Sequence, residues 1–166
     1  MSLPLDVREL VEQPGSSRKV ALAEPVEGLA TGLVEVPVET PVRLELLLES
    51  LVEGILVTGR VAGEAAHRCA RCLKEFDGPF DVRLSELFAA GSGPDDDEYP
   101  LQDGTIDLEP MIRDAVLLSL PFSPLCRADC KGLCERCGGD RNLGECSCGP
   151  VTDARWDVLN EIKLEG

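Results

Sequence analysis

The sequence lacks several features that would place it in a common functional class. No apolar run approaches the roughly 18 to 20 residues that a membrane-spanning helix requires. Residues 1–12 have neither the basic start nor the apolar run of a secretory signal peptide. A basic surplus, which phosphate-binding proteins normally show, is also missing, because 31 acidic residues outweigh 16 basic ones. We therefore expect a soluble, cytoplasmic protein with no membrane partner, and one that is not a simple electrostatic binder of nucleic acid.

Residues suited to catalysis are equally scarce. His67 is the single histidine, so the sequence offers no Ser–His–Asp or Cys–His arrangement. It contains no glycine-rich phosphate loop of the Walker type, and no pair of carboxylates stands out among its many acids. We expect no enzymatic activity, and we expect His67 to be a surface or packing residue.

The chain does contain enough apolar sequence for a folded core. Its 166 residues are 43% hydrophobic, which suits one domain with a small appendage. Residues 42–48, 55–61 and 80–84 alternate between apolar and polar types, as half-buried strands do. Three such runs favour a meander or a small open barrel. Asp6 is a candidate cap for a short helix that precedes them.

A longer helix is predicted to begin after Asp107, which suits the N-cap position, and to end at Pro121. Its apolar face widens along the helix until most of the circumference is apolar, through Leu108, Met111, Ile112, Ala115, Val116, Leu117, Leu118 and Leu120. Such a helix is expected to pack against the sheet rather than stand in solvent. Near the end of the chain, Asp153 is a candidate cap for a short helix that contains Trp156.

Eight cysteines dominate the chemistry of the sequence. Without an export signal, such a set favours metal binding over disulfides. Cys134 and Cys137 are separated by two residues, a gap that lets successive thiolates converge on one ion, and Cys146 and Cys148 follow as a second close pair. Four thiolates within 15 residues predict a closed, structural zinc site.

The other four cysteines are a candidate second site. Cys69 and Cys72 lie between two predicted strands, and Cys126 and Cys130 follow the long helix. A shared ion would pin the cysteine-rich segment onto the sheet. Two alternatives remain: a thioredoxin-like redox pair, which needs a strand-to-helix setting, and iron–sulfur ligation, which also uses thiolates. All-thiolate zinc sites leave no position for a reactive water, so we expect two structural Zn²⁺ ions.

Together these patterns predict an α+β protein. Residues 1–120 would form an antiparallel, barrel-like sheet with a packed helix and the Cys69/Cys72 turn. Residues 121–166 would form a cysteine-rich, zinc-stapled C-terminal module.

Short motifs from about Leu3 to Leu164 resemble the YceD family, bacterial proteins linked to accumulation of the large-subunit ribosomal RNA. The motifs that carry the resemblance are Cys69-x-x-Cys72-Leu73, Ile106-Asp107-Leu108-Glu109-Pro110, Arg113-Asp114, Leu120-Pro121, Pro124-Leu125-Cys126, Cys130, Gly132-Leu133-Cys134-x-x-Cys137-Gly138, Asn142, Cys146-x-Cys148 and Asp153-Ala154-Arg155-Trp156. The resemblance implies a role in large-subunit biogenesis without enzymatic activity. It also implies a link to a small zinc-ribbon ribosomal protein.

The charge pattern favours a basic protein as partner. The run Asp95, Asp96, Asp97 and Glu98 could attract such a partner, although an ordinary solvated loop has the same composition. The main alternative is direct binding of ribosomal RNA by basic residues near the cysteines, namely Arg68, Arg71, Lys74, Arg127, Lys131, Arg136 and Arg141. A zinc-dependent transcription or stress adaptor is a second alternative.

Overall fold

Strands are more abundant than helices in the described chain. The computed structural model describes residues 2–91, 98–144 and 146–149, together with residue 155. In chain order its elements are β1 (Pro4–Asp6), α1 (Arg8–Val11), β2 (Ser17–Glu24), β3 (Val34–Glu35), β4 (Val42–Ser50), β5 (Gly54–Arg68), β6 (Glu75–Ala90), β7 (Tyr99–Gln102), β8 (Thr105–Asp107) and α2 (Leu108–Ser119). The short helix predicted at Asp153 lies outside the described residues.

The three predicted strands are β4, β5 and β6, and they form an antiparallel meander. Alternation along β4 buries Val42, Leu44, Leu46 and Leu48, which confirms the predicted inward face. The close approach of β5 to β4 requires a glycine at position 59, because a Cβ there would lie 2.1 Å from the Glu45 carbonyl oxygen. The period of two therefore specified the centre of the sheet correctly.

The complete sheet runs in the order β1-β8-β7-β6-β5-β4-β2 and curls into a half-barrel, with β3 paired to β5 off this path. Its pairs are antiparallel except one, because β6 and β7 run parallel with Phe88 opposite Tyr99. The prediction of an antiparallel sheet is therefore wrong at this pair. A two-residue hairpin cannot join parallel strands, and β6 and β7 are separated by residues 91–98 in the sequence.

Helix α2 begins where the sequence predicts. The carboxylate of Asp107 accepts a hydrogen bond from the Glu109 N–H at 3.1 Å and another from the Leu3 N–H at 2.8 Å, so it caps α2 and holds β1. Burial opposes ionisation of Asp107, but these bonds hold its pKa below its usual range. The helix packs against β6 and β1. Its buried apolar face is narrower than predicted, because Leu118 is 83% exposed.

The prediction for the first helix needs a smaller correction. Val7, not Asp6, occupies the N-cap position of α1, and it makes no side-chain capping bond. The Asp6 carboxylate still accepts a hydrogen bond from the Arg8 N–H at 3.0 Å. It therefore stabilises the start of α1 from the position before the N-cap residue. Val7 and Leu10 are buried in the core, which fixes this short helix to the sheet.

Two hydrophobic clusters are present in the described part of the chain. The larger lies inside the half-barrel and includes Phe88, Ile106 and Met111. The smaller consists of Cys69, Cys72 and Cys130, with Phe76, Leu125, Cys126 and Leu133 packed against them. The second cluster joins residues from both predicted units, 1–120 and 121–166.

Candidate metal centres

The first cysteine pair lies in the turn between the two longest strands. The Cys69 N–H donates to the Lys74 carbonyl at 2.9 Å, and the Leu73 N–H donates to the Cys69 carbonyl at 2.9 Å. Leu73 adopts φ of 60°, a left-handed conformation that reverses the chain immediately after Cys72. This tight turn directs the neighbouring thiols toward the segment that follows α2. The turn leads into another strand, so the strand-to-helix setting of a thioredoxin-like pair is not found here.

Backbone hydrogen bonds attach that segment to the turn. The Ala70 N–H donates to the Pro124 carbonyl at 2.8 Å, and the Leu133 N–H donates to the Arg71 carbonyl at 3.0 Å. These bonds bring Cys126 and Cys130 to the first pair, although the cysteines of the two pairs are 54 and 61 residues apart in sequence.

The four thiols of this clasp cluster (Cys69, Cys72, Cys126 and Cys130) lie within 4.8 Å of one another. The Sγ atoms of Cys69 and Cys130 are 3.8 Å apart, and those of Cys72 and Cys126 are 3.7 Å apart. A disulfide would bring two sulfurs to about 2.05 Å. Four sulfurs at the zinc–thiolate distance of about 2.3 Å form a tetrahedron with edges of about 3.8 Å. The spacing therefore fits a tetrahedral metal ion.

The knuckle cluster (Cys134, Cys137, Cys146 and Cys148) has the same spacing limit, with its four ligand atoms within 4.8 Å. Its first pair lies in a tight loop in which the Gly138 N–H donates to the Cys134 carbonyl at 2.8 Å. Gly138 has φ of 70°, the left-handed conformation that glycine adopts at no cost. Cys137 is exposed in this cluster, whereas three members of the clasp cluster are buried.

Each cluster contains one thiol that is easily ionised. Burial raises the pKa of Cys69, but backbone N–H groups of Cys126, Cys72 and Arg71 outweigh this effect and lower it to about 6. Backbone N–H groups of Cys137 and Arg136 lower the pKa of Cys134 to about 6. A thiolate is the form that binds a metal, so each cluster supplies one ligand that is already charged near neutral pH.

Each cluster also contains a thiol that resists ionisation without a metal. Burial and the neighbouring thiols raise the pKa of Cys126 to about 12, and the thiols of Cys137 and Cys134, with burial, do the same for Cys148. Several thiolates at this distance repel one another. A divalent cation would remove that repulsion, and together the two groups of cysteines can hold metal ions.

Asn142 links the two clusters, a role that the sequence did not reveal. Its side-chain N–H₂ donates to the Cys130 Sγ at 3.5 Å and to an Asp140 carboxylate oxygen at 2.6 Å. Its side-chain oxygen accepts hydrogen bonds from the Lys131 N–H and the Arg127 guanidinium, both at 2.8 Å. A loop residue of the knuckle cluster thus orients a ligand of the clasp cluster. The available signals were its position between two cysteine pairs and its place among the motifs that resemble the YceD family.

The basic residues near the cysteines are exposed, but several engage acceptors. Arg68 pairs with Glu75 at 3.1 Å, and the Arg71 guanidinium donates to the Cys130 carbonyl at 2.9 Å. The pKa of Asp140 is lowered mainly by hydrogen bonds from Asn142, and further by the nearby charges of Arg127 and Lys74. The basic residues near the cysteines are therefore interspersed with acidic residues.

The other candidate residues have separate locations. His67 is 9% exposed, stacks on Phe76 with ring centroids 5.1 Å apart, and belongs to neither cysteine cluster, as expected for a packing residue. Glu98 is exposed beside β7. Asp95, Asp96 and Asp97 lie outside the described residues. No helix in the described ranges is long and apolar enough to cross a membrane.

The fold and its centres define a strand-rich protein with two four-cysteine metal-site candidates. The chain belongs to the YceD family, because the family model described as "Large ribosomal RNA subunit accumulation protein YceD" matches residues 57–163. This finding confirms the resemblance inferred from the motifs.

Individual relatives extend the comparison. An uncharacterised protein of Mycobacterium leprae is 41% identical over 142 residues, which cover 80% of this chain and 64% of the relative. An uncharacterised protein of Mycobacterium tuberculosis (strain H37Rv) is 43% identical over 112 residues, covering 64% and 54%. The large ribosomal RNA subunit accumulation protein YCED homolog 1, chloroplastic, of Arabidopsis thaliana is 37% identical over 51 residues, covering 31% and 16%. The chain thus spans about half to two thirds of the length of the mycobacterial relatives. No solved structure matches it.

Proposed function

We propose that this protein is a non-enzymatic ribosome-biogenesis factor. It promotes accumulation of the large-subunit ribosomal RNA by binding a basic protein of the large subunit, and a zinc-ribbon protein is the partner that the resemblance implies. Membership of a family described by large-subunit RNA accumulation is the observation that carries this proposal. The name of the chloroplast relative supports the same role.

In this proposal each cysteine cluster holds one Zn²⁺. Four thiolates complete the tetrahedral coordination of zinc and leave no open position for water, so the metal is structural rather than catalytic. The ion of the clasp cluster staples the module of residues 121–166 to the sheet of residues 1–120. The observed sulfur spacing of 3.7 to 3.8 Å supports this assignment.

Charge supports a basic partner. The chain has a net charge of -15, and eight thiolates with two divalent ions would make it more negative by about four charges. Residues 95–114 alone contain eight acids and one base. Such a surface attracts basic ribosomal proteins and repels phosphate, with a range of about 8 Å at physiological salt. We therefore assign residues 95–98 as one contact.

Binding to purified large-subunit ribosomal proteins tests the proposal. We expect binding that weakens steeply with salt, and weakens further when Asp95, Asp96, Asp97 and Glu98 are changed to Asn and Gln. The matched control changes four exposed acids elsewhere, Glu9, Glu12, Glu39 and Glu53, to Gln. This control has the same net charge, so only a local contact distinguishes the two variants.

Affinity capture from cells with and without nuclease separates the proposal from direct RNA binding. Recovery of ribosomal proteins after nuclease treatment supports the proposal. Tight binding to naked ribosomal RNA at physiological salt, with no affinity for basic ribosomal proteins, would overturn it and favour the cations near the cysteines as the binding surface.

A further inference from the structure

The two terminal strands of the sheet, β1 and β2, approach each other without completing the barrel. The Arg18 guanidinium on β2 donates to the Asp6 carbonyl on β1 at 2.6 Å, which joins the strands at one end. Beyond that contact no backbone hydrogen bond links β1 to β2 among the described residues. The Nε of Arg18 is buried there and has no hydrogen-bond partner within the same ranges. We call this opening, from Arg18 to Glu24, the seam.

The β2 side of the seam presents unpaired backbone groups. The Ser50 N–H donates to the Ser16 carbonyl at 2.9 Å, and antiparallel ladders alternate between bonded and non-bonded pairs. Even-numbered residues of β2 therefore bond to β4, and the N–H and C=O groups of Lys19, Ala21 and Ala23 point to the open edge. Pro4 on β1 has no N–H. The edge of β1 therefore lacks one hydrogen-bond donor for an added strand, whereas the edge of β2 can pair with one.

Apolar side chains line both sides of the seam. Leu5 on β1, the preceding residue Leu3, and Val20 and Leu22 on β2 pack against the core, yet each is only half-buried. The side chains of an incoming strand that point inward would cover these four residues. An extended segment with alternating apolar residues would suit them, because its side chains would repeat every second position.

The end of the seam away from Arg18 is acidic. A cavity of about 110 Å³ there is lined by residues that include Leu3, Glu24, Glu27 and Glu109. Glu109 is buried and forms an ion pair with Arg113, which leaves Glu24 and Glu27 as the carboxylates without a described ion pair. The cavity therefore favours a Lys or Arg side chain at the end of the incoming strand.

From these observations we infer that the seam binds an extended segment of a basic protein, which adds to β2 as an extra strand. Backbone hydrogen bonds to Lys19, Ala21 and Ala23 would provide affinity, as in other cases of strand addition. Apolar residues on one face and a terminal cation would provide specificity. The inference rests on the proposed function for the class of partner, and it adds a contact that does not involve residues 95–98.

A short synthetic peptide of alternating Val and Lys is the probe, and a peptide of alternating Val and Glu is its charge control. We expect the Val/Lys peptide to bind and to slow amide exchange at Lys19, Ala21 and Ala23. Ala21→Pro removes an outward N–H without removing a bond to β4, so it should weaken binding about tenfold or more. Ala21→Val adds similar bulk but keeps the N–H, and should bind like the parent.

Several results would overturn the inference. Equal binding to Ala21→Pro and Ala21→Val would exclude strand addition, provided that both variants keep the parent circular dichroism spectrum. Equal binding of the Val/Glu peptide would exclude the acidic end as a determinant. Concentration-dependent dimers that disappear in Ala21→Pro would identify a second copy of the chain as the occupant. If a basic ribosomal protein binds but protects other amides, the proposed function stands and this inference fails.

Discussion

Replacing Cys69 and Cys72 with serine should remove one metal ion and release the segment that follows α2. The clasp cluster is the only four-cysteine group in the described chain that joins the β5–β6 turn to this segment. Without its ion, two backbone bonds remain, from Ala70 to Pro124 and from Leu133 to Arg71. A net backbone hydrogen bond contributes only about 1 kcal/mol, so they would hold the segment weakly.

The size of the effect follows from the length of chain that the ion closes. Cys72 and Cys126 are 54 residues apart in sequence. A cross-link that closes a loop of that length stabilises the folded state by about 4 kcal/mol through the entropy of the unfolded chain. This value applies while the thiolates of the unfolded chain keep the ion; an ion that dissociates on unfolding contributes its binding free energy instead.

Metal analysis, urea unfolding and amide exchange together measure this prediction. The double variant should retain one zinc, lose about 4 kcal/mol of unfolding free energy, and exchange faster at residues 124–133. Cys146→Ser with Cys148→Ser is the matched control. It removes the knuckle ion, which closes a much shorter loop and should cost roughly 2.5 kcal/mol of cross-link entropy. Loss of both ions, or of neither, from the Cys69/Cys72 variant would refute the pairing.

Three further predictions follow from the same centres. Protein purified without chelator should contain two zinc ions per chain by elemental analysis. The absence of zinc from folded, reduced protein would contradict the assignment. Iron with visible absorbance would show that the cysteines bind an iron–sulfur cluster instead of zinc. Asn142→Ala should weaken metal binding at the clasp cluster about tenfold in a chelator competition, while Arg141→Ala should not, because the side-chain N–H₂ of Asn142 donates to the Cys130 Sγ. The metal-free, reduced protein should become more stable to urea as pH rises from about 6 toward 9, since the lowered pKa values of Cys69 and Cys134 favour the folded state only above about 6. Above pH 9 the trend should reverse, because the raised pKa values of Cys126 and Cys148 oppose ionisation in the folded state; a flat profile would contradict both shifts.

Local patterns in the sequence predicted the centre of the fold and the cysteine groups. Strand β4 alternates cleanly because one face is buried, and Asp107 caps α2 through a bond to a residue two positions away. The alternation along β4 and the cap at Asp107 both depend only on residues that are close together in the sequence. The two-residue gap between Cys134 and Cys137 is equally local.

What the sequence could not predict depends on distant pairing. Leu3 and Asp107 are 104 residues apart, so neither the β1–β8 pair nor the position of the seam has a local signal. Leu118 is exposed although Val116 and Leu120 on either side of it are buried, so it faces away from the core, and its apolar character does not reveal this. The bond from Asn142 to Cys130 likewise arises only once the two cysteine clusters are assembled.

The two clusters differ in a way that bears on their roles. Three of the four thiols in the clasp cluster are buried, so an ion there would be shielded from competing ligands, whereas Cys137 exposes one ligand of the knuckle cluster to solvent. Each zinc with four thiolates carries about two negative charges, and these act over about 8 Å at physiological salt. The buried ion would therefore act chiefly on the nearby cations Arg71, Lys74 and Arg127. The ion of the knuckle cluster would add to the negative surface that a basic partner contacts. The proposed metal centres would therefore hold the C-terminal module together and also make its surface more negative.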